Sequence, residues 1–249
     1  MNDLLLAEGK TKRIYAHPAD PALAIIEHKD TISAGDGARR HVIAGKAALS
    51  GRTTANVFVL LGNAGIATHY VAAETAERMV VQRCHMIPLE VVTRRIATGS
   101  YLRRFPATAE GTRFEPPIIE FFLKDDARHD PLLTPAEIVS QQVATAAEVA
   151  HMAAEAQRVF VVLEAAWAAQ DVTLCDLKIE FGRDSHDTLI VADVIDNDSW
   201  RIWPGGDKRN MLDKQIYRNL AHVTADDLDA VRRRYALVAD LTDHWREGL

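Results

Sequence analysis

The segment CDLKIEFG, residues 175–182, alternates apolar and charged side chains along one predicted strand. Asp176, Lys178 and Glu180 share one face of that strand, because successive side chains of a strand point to opposite faces. The segment VADVIDNDSWR, residues 191–201, follows shortly afterwards and is rich in carboxylates. Two interpretations stay open: a solvated strand edge with internal ion pairs, or a site that holds a metal and a phosphate.

Glu180 and Asp193 lie on two strands that are predicted to pair, so their carboxylates can converge on one divalent cation. Mg²⁺ takes one or two carboxylates together with phosphate oxygens and water. Lys178 shares the face of Glu180 and can neutralise a phosphate or a substrate carboxylate. This combination predicts phosphoryl transfer, in which the protein mainly positions groups and offsets charge.

Two glycine-containing segments near the N-terminus are also candidates for binding anions. EGKTKRIY, residues 8–15, places Lys10 and Lys12 on a turn between two strands, where glycine allows a ligand to approach the backbone closely. A hairpin turn that happens to carry lysines is the alternative. SAGDGARR, residues 33–40, is predicted to be a turn running into a helix, with Asp36 placed to hold a ribose hydroxyl or a metal, or else a simple helix cap.

Two later segments carry further charge. TRRIATGSYLRR, residues 93–104, combines Arg94 with Ser100 beside a glycine, which suits a phosphate monoester. Its alternative is a basic amphipathic segment that faces water. KDDARHDP, residues 124–131, is a charged loop of ambiguous meaning, and no histidine pair has the helical spacing of metal ligands.

The elements that must position these residues follow an α+β pattern rather than alternating βαβ units. Strand-like runs dominate the first part, interrupted by a helix predicted over residues 38–61. A long helical region is predicted from Thr134 to Gln170, opened by a capping box of Thr134 and Glu137, and it is followed by a hairpin over residues 172–195. A last helix is capped by Thr224 or Asp226. We expect a strand-rich N-terminal lobe over residues 1–90 and a C-terminal lobe over residues 91–249.

Composition restricts the class of function. The 249 residues suffice for one large domain or two modest ones that share a cleft, and 48% apolar with 26% charged residues is ordinary for a globular protein. The net charge of −6 argues against a nucleic-acid partner, whereas the local basic clusters suit small anionic ligands. The sequence shows no signal peptide and no membrane-length apolar run, so we expect a cytoplasmic protein without a membrane partner. The two cysteines predict neither a disulfide framework nor a zinc site.

Taken together, these motifs resemble those of the SAICAR synthetase family of purine-pathway ligases. The matching stretches are EGKTKRIY, SAGDGAR, MIPLEVVTRRIATGS, FFLKDDARHDP, DLKIEFG, VADVIDNDSWRIWP and LDKQIYR, in the family's order over most of residues 8–220. Val194 stands where many bacterial members have a glutamate, a variant that resembles the synthetase domain of the animal bifunctional enzyme. The resemblance implies a two-lobed α+β fold with a kinase-like ATP-grasping cleft, in which antiparallel sheets pack with helices.

The implied reaction joins L-aspartate to carboxyaminoimidazole ribonucleotide (CAIR) with ATP and Mg²⁺, giving SAICAR, ADP and phosphate. Lys10 and Lys12 would contact the ATP phosphates, and the backbone around Met86 would bind adenine. Glu180 and Asp193 would hold Mg²⁺, which also places Glu180 at the ATP.

The resemblance also implies residues for the chemistry and the substrates. Lys178 would lie near the CAIR carboxylate or the γ-phosphate, and Asp176 would help to orient the aspartate amine. The residues implied for the substrates are Arg94, Ser100 and Arg201 at the CAIR 5′-phosphate, Asp36, Lys124 and Asp130 along the substrate side, and Lys214 and Arg218 at a basic lip.

Two other functions are weighed against this one. A kinase-like phosphotransferase acting on a hydroxyl would use a similar cleft, but the kinase order His-Arg-Asp followed by Asp-Phe-Gly is absent from the sequence. A non-catalytic nucleotide-binding module would predict the loss of Lys178, Glu180 or Asp193, and all three are present. The number of Mg²⁺ ions, the phosphorylated intermediate and a possible homo-oligomer stay open from the sequence.

Overall fold

Two antiparallel sheets form the frame of the computed structural model, which describes residues 4–35 and 37–247. The strands are β1 (Leu5–Glu8), β2 (Lys12–Ala16), β3 (Leu23–His28), β4 (Thr31–Ala34), β5 (Arg39–Val42), β6 (Tyr70–Ala73), β7 (Arg78–Gln82), β8 (His85–Ile96), β9 (Arg113–Leu123), β10 (Leu132–Leu133), β11 (Val172–Arg183), β12 (Leu189–Ala192) and β13 (Trp200–Pro204). The helices are α1 (Lys46–Asn63), α2 (Ser100–Arg104), α3 (Pro135–Ser140), α4 (Ala146–Ala168), α5 (Gln215–Asn219) and α6 (Ala225–Glu247).

The sheets are joined near β6 and β12. One sheet has the order β1-β2-β3-β7-β6, and the other has the order β10-β9-β8-β11-β12, with β13 also paired to β11. A parallel bridge between Thr68 and Val191 links the segment before β6 to β12. The predicted strands around the EGKTKRIY turn and the β11–β12 hairpin are therefore confirmed.

Strand β11 is central, and its pairing creates an opening in the second sheet. On one side it pairs with β8 along most of its length. On the other side its end over Glu180–Arg183 pairs with β12, and its beginning over Val172–Leu177 pairs with β13. Residues 193–199 connect β12 to β13 and leave the sheet beside Lys178, whose backbone N–H donates to the Ser199 carbonyl at 2.7 Å. The prediction of a solvated strand edge is therefore wrong for this segment.

Helix α4 covers one face of the second sheet and leaves the other face for charged side chains. Its N-terminus is a capping box of Thr145 and Glu148, which satisfies otherwise unpaired backbone N–H groups. Its buried residues recur at helical spacing and are Val149, Met152, Ala156, Val159, Phe160, Leu163 and Trp167. They belong to the same core cluster as the apolar side chains of β11, namely Val172 and Leu174 before its bulge and Leu177, Ile179 and Phe181 after it.

One apolar cluster connects both sheets and four helices, α1, α3, α4 and α6. It includes Ile26 of β3, Phe58 of α1, Phe160 of α4, Ile179 of β11 and Val238 of α6. A smaller cluster between β4, β5, α5 and α6 contains Ile32, Ile43, Tyr217, Val231 and Tyr235. Among the described residues, no helix has both the length and the apolar character needed to cross a membrane.

The prediction of a helix over residues 38–61 is wrong for the first part of that range. Arg39–Val42 form β5 instead, and the helix begins at Lys46, after Gly45 with φ of 80°. A left-handed residue at this position interrupts any helix that started earlier. The Arg39 guanidinium donates to the carbonyl of Tyr217 at 2.5 Å, so a distant contact holds the strand. The two ends of SAGDGARR therefore lie in the paired strands β4 and β5, and the segment opens no helix.

The long helical region predicted from Thr134 to Gln170 is two helices. The capping box of Thr134 and Glu137 is confirmed, but it opens only the short α3. Gln142 has a φ of 57°, which breaks the helix, and the second capping box then opens α4. Thr224 caps α6, with its Oγ1 accepting from the Asp227 N–H at 3.2 Å.

The division into lobes at residues 1–90 and 91–249 stays a prediction. The strand β8 runs through residue 90 without interruption, so that boundary falls within one continuous element of the second sheet.

Replacing Trp167 with alanine should lower the free energy of unfolding by about 3–5 kcal/mol, because it empties a large buried volume. Trp167 is fully buried and contacts Trp200 and Trp245 edge-to-face, at centroid distances of 5.3 and 4.8 Å. Urea denaturation measures the change. The matched control is Val161→Ala on the same helix, where the side chain is 49% exposed and the change should stay within about 0.5 kcal/mol. Equal losses in the two variants would contradict the packing assignment.

Candidate functional site

A cleft of about 380 Å³ opens where residues 193–199 leave the sheet. Its walls carry both positive and negative side chains. Such a mixture suits a site for charged ligands, because the buried charges of the protein largely compensate each other. It brings together eight of the predicted site residues: Lys10, Lys12, Asp130, Lys178, Glu180, Asp193, Lys214 and Arg218.

Lys178 lies at the centre of this cleft between two carboxylates. Its Nζ is 3.0 Å from Glu90 Oε1 and 3.0 Å from Glu180 Oε1. Burial alone would lower the pKa of the Lys178 ammonium, but the carboxylates of Glu180 and Glu90 raise that pKa well above its ordinary value. Lys178 is therefore a fixed positive charge at neutral pH rather than a proton acceptor.

Glu180 is 2% exposed and is bonded to two lysines. Besides Lys178, the Lys124 ammonium approaches its other oxygen, Oε2, at 2.5 Å. Lys124 comes from the loop after β9, so the charged loop KDDARHDP reaches the cleft. Asp130, from the same loop, lines the cleft and accepts from the Asp125 N–H at 2.8 Å.

Asp193 directly follows the residue that pairs with Glu180, so the two carboxylates line the same cleft as predicted. Its φ of 67° is in the left-handed region, which a non-glycine residue enters only when its surroundings hold it there. Lys12, at the start of β2, forms an ion pair with it. Burial alone would raise the pKa of Asp193, but Lys12 and Lys178 hold that pKa well below its usual range.

The carboxylates present fit a magnesium ion only in combination with a phosphate. The described residues contain no group of three or more histidine, cysteine, aspartate or glutamate side chains arranged to hold a metal. Two buried carboxylates, Glu180 and Asp193, face the same cleft as Lys10 and Lys12. This donor set matches the habit of Mg²⁺, which takes one or two carboxylates plus substrate phosphate oxygens and water.

Asp198 connects the loop after β12 to two helical segments. Its Oδ2 accepts from Lys214 Nζ at 2.6 Å, and its Oδ1 accepts from the Tyr235 hydroxyl of α6 at 2.5 Å. Burial would raise the pKa of Asp198, but Lys214 and Lys46 hold it well below its usual range. Burial, together with the Asp198 charge, raises the pKa of the neighbouring Asp196.

A second cavity of about 140 Å³ adjoins the first and is lined by arginines. Asp176 lies opposite Arg94 of β8 on one side and opposite Arg201 of β13 on the other. Arg94 donates to Asp176 Oδ2 at 2.9 Å and to Ser100 Oγ at 3.2 Å, and Arg201 also pairs with Asp176. Arg94 is 2% exposed, so the prediction of a basic segment facing water is wrong here.

Gly99 is needed where α2 begins. Its φ is 58°, and a Cβ added there would lie 2.5 Å from Arg201 Nη2. Any larger residue would therefore displace the guanidinium that the second cavity presents.

The predicted adenine-binding residue Met86 lies outside both cavities. It is 43% exposed and shares a face of β8 with Glu90, four residues away, which corresponds to about 13 Å along a strand. Gly182 lies opposite Met86, and an added Cβ there would come within 2.6 Å of Cys84 Cβ. Asp36, the remaining predicted residue, lies outside the described residues.

Sequence reasoning missed several residues that hold the site. Glu90 bonds Lys178, Glu120 bonds Arg94, and Tyr235 bonds Asp198. Glu90 and Glu120 each stand between two apolar residues of a strand, which is a usable signal. Their partners, however, are 88 and 26 residues away, and nothing local indicates them. Tyr235 carries no sequence signal beyond its place on an amphipathic helix.

The fold and the two cavities are those of an enzyme that binds phosphorylated, anionic small molecules. The profile of the SAICAR synthetase family matches residues 5–234, and the chain belongs to that family. The reaction of this family is the ATP-dependent ligation of CAIR and L-aspartate in purine biosynthesis. Membership decides against a kinase-like phosphotransferase.

Named relatives of this chain agree with its membership of the SAICAR synthetase family. A phosphoribosylaminoimidazole-succinocarboxamide synthase of Roseiflexus sp. (strain RS-1) is 70% identical over 240 residues, which is 96% of either chain. A bifunctional carboxylase/synthetase of Drosophila melanogaster is 48% identical over 95% of this chain and 56% of that protein. A SAICAR synthetase solved in complex with ADP is 31% identical, with a TM-score of 0.82 over 92% of this chain and 96% of that one.

Two buried histidines behind the cleft make the stability of the folded protein sensitive to acid. Burial lowers the pKa of His28 to about 3 and that of His69 to about 4. An unfolded chain protonates them near pH 6.5, so their contribution to stability is complete above that pH. It is lost as the pH falls toward the folded-state values.

Replacing His69 with glutamine should therefore reduce the loss of stability between pH 7 and pH 5 by about 2 kcal/mol, since one titrating group is removed. Urea denaturation at both pH values measures this difference. The control is His151→Gln, on the exposed face of α4, which should leave the difference unchanged. If His69→Gln lost as much stability between pH 7 and pH 5 as the wild type, the buried neutral state of this imidazole would be contradicted.

Proposed function

We propose that this protein joins L-aspartate to the carboxylate of CAIR at the expense of ATP, giving SAICAR, ADP and phosphate. The observation that carries the proposal is the convergence of Lys178, Glu180, Asp193 and Lys12 in one cleft beside a cavity lined by arginines. Together these groups provide what an anionic nucleotide, a metal and a phosphorylated second substrate need.

The chemistry requires activation of a carboxylate, because oxide is a poor leaving group. In the first step an oxygen of the CAIR carboxylate attacks the γ-phosphorus, and the bond between that phosphorus and the bridging oxygen of ADP breaks. In the second step the aspartate amine attacks the acyl carbon, inorganic phosphate leaves, and the nitrogen loses a proton. The protein positions the reactants and balances charge during both steps.

We assign the ATP side to the N-terminal turn and to β8. Lys10 and Lys12 lie at the cleft and would contact the phosphates. Met86 lies farther along the same face of β8 as Glu90, at a distance that suits a nucleotide extending from its phosphates to adenine. Lys178 stays protonated and would stabilise negative charge on the transferred phosphoryl group or on the CAIR carboxylate.

Glu180 and Asp193 would hold Mg²⁺ together with phosphate oxygens of ATP. A bound Mg²⁺ neutralises phosphate charge and polarises the phosphoryl group. Lys12 holds Asp193 in place by an ion pair, and Lys124 and Lys178 hold Glu180 in the same way.

The substrate side combines the second cavity with the outer part of the cleft. Asp176 Oδ2 accepts from both Arg94 and Arg201, which leaves Oδ1 as the atom for its predicted contact with the aspartate amine. The remaining substrate assignments are Arg94, Ser100 and Arg201 at the 5′-phosphate, Lys124, Asp130 and Asp36 along the substrate side, and Lys214 and Arg218 at the lip. A cytoplasmic location and a homo-oligomer stay predictions.

The test is ADP release by the purified protein with ATP and Mg²⁺, omitting CAIR or L-aspartate in turn. Release should require both substrates, and Glu180→Gln should lower kcat at least about 100-fold, because a neutral amide cannot serve the cation and the two lysines. Release with CAIR alone would indicate carboxylate phosphorylation without amine transfer.

The matched control is Glu74→Gln, which removes an ion-paired glutamate outside both cavities. Glu74 pairs with Arg78 at 2.7 Å on the first sheet and should leave kcat within about twofold. ATP binding without ADP release under any combination of substrates would overturn the proposed function.

A further inference from the structure

A continuous row of alternating charges begins in the wall of the second cavity and extends away from it. Arg94 Nε donates to Glu120 Oε2 at 2.6 Å, and Arg104 forms an ion pair with the other oxygen of Glu120. Arg94 Nη1 donates to Asp176, which also pairs with Arg201. We call these five residues, Arg104, Glu120, Arg94, Asp176 and Arg201, the arginine–carboxylate row.

Glu120 orients two guanidinium groups at once, because each of its carboxylate oxygens pairs with a different arginine of the row. It lies on β9 opposite Val92, two residues from Arg94 on the same face of β8. With Nε held by Glu120 and Nη1 held by Asp176, the Arg94 guanidinium cannot rotate about its long axis. Its Nη2 is consequently directed to Ser100, at 3.2 Å.

The charges of the row do not cancel. Three guanidinium groups against two carboxylates leave one net positive charge. The side chains of Arg94 and Glu120 are only 3% and 10% exposed, so solvent screens this charge weakly. A buried arginine without its carboxylates would be costly, whereas a fully compensated row would attract no anion.

We infer that Glu120 is a positioning residue for the phosphate end of the nucleotide substrate, acting through Arg94. This inference rests on the proposed function for the identity of the substrate. Guanidinium groups that are oriented before binding lose little freedom when they meet a phosphate, and their geometry suits its paired oxygens.

A second buried arginine–glutamate pair, Arg95 with Glu164, serves as a matched control. Arg95 lies on β8 next to Arg94, and its side chain points to the opposite face of that strand. Arg95 donates to both oxygens of Glu164, from Nε at 2.7 Å and from Nη2 at 2.8 Å. Arg95 is 5% exposed, and neither residue lines the cleft or the second cavity. Glu164→Gln therefore weakens a buried arginine–glutamate pair of the same chemistry without touching the proposed site.

The experiment compares wild type, Glu120→Gln and Glu164→Gln by calorimetric binding of two probes. The probes are the stable carboxamide analogue of CAIR as its 5′-phosphorylated ribonucleotide and the same compound as the unphosphorylated nucleoside. Glu120→Gln should raise the Kd of the ribonucleotide about tenfold and leave the Kd of the nucleoside unchanged, since only the phosphate contact is weakened. Glu164→Gln should change neither value, although both variants lose stability.

Equal weakening of both probes by Glu120→Gln, or the same effect in both variants, would show a merely structural role and overturn the inference. If Glu120→Gln does not fold, Glu120→Asp provides the test, because it keeps the charge and shortens the reach by one methylene. That variant should weaken only the ribonucleotide, and by less than about tenfold. Wild-type protein that prefers the ribonucleotide but releases no ADP would overturn the proposed function alone.

Discussion

Charged side chains on a central buried strand require partners, and this requirement organises the whole site. Asp176, Lys178 and Glu180 occupy one face of β11, which has neighbours on both sides. Removing such groups from water costs several kcal/mol per charge unless each is paired and hydrogen-bonded. The partners come from other strands and loops, namely Arg94 and Glu90 of β8, Arg201 of β13 and Lys124 after β9. A one-residue slip of β11 would turn these charges into the apolar core, so the ion pairs and the core enforce the same register.

The loop between β12 and β13 depends on support from outside the sheet. Asp193 occupies a left-handed conformation that costs free energy, and its ion pair with Lys12 from the other sheet holds it there. Farther along the loop, Asp198 is bonded to Tyr235 of α6 and to Lys214. The apolar packing of α6 against α1 and the sheets thereby fixes the carboxylates of the cleft, because the helix that completes the core also supplies a donor to the loop.

Local signals in the sequence predicted those parts of the fold and site that depend on neighbouring residues. The alternation of CDLKIEFG, the hairpin after it and the capping box at Thr134 are all determined within a few positions. The error over residues 39–42 arose where a distant contact decides. Arg39 is held in a strand by carbonyls near Tyr217, about 180 residues later, and no local pattern shows this contact. The same limit explains why Glu90 and Glu120 were missed, since an isolated glutamate on a strand does not reveal which cation it faces.

The pairing of charges also explains how an acidic protein can be a receptor for anions. Several cations assigned to a ligand are bonded to a carboxylate of the protein, as Lys12 is to Asp193, Lys178 to Glu180 and Arg94 to Asp176. These carboxylates orient the cations and prevent a concentrated, self-repelling positive cluster. An incoming phosphate therefore meets donors whose orientation is already fixed, and the cost of ordering them has been met during folding. The site gains selectivity for anions of the right shape from this arrangement, because net charge alone would attract any anion.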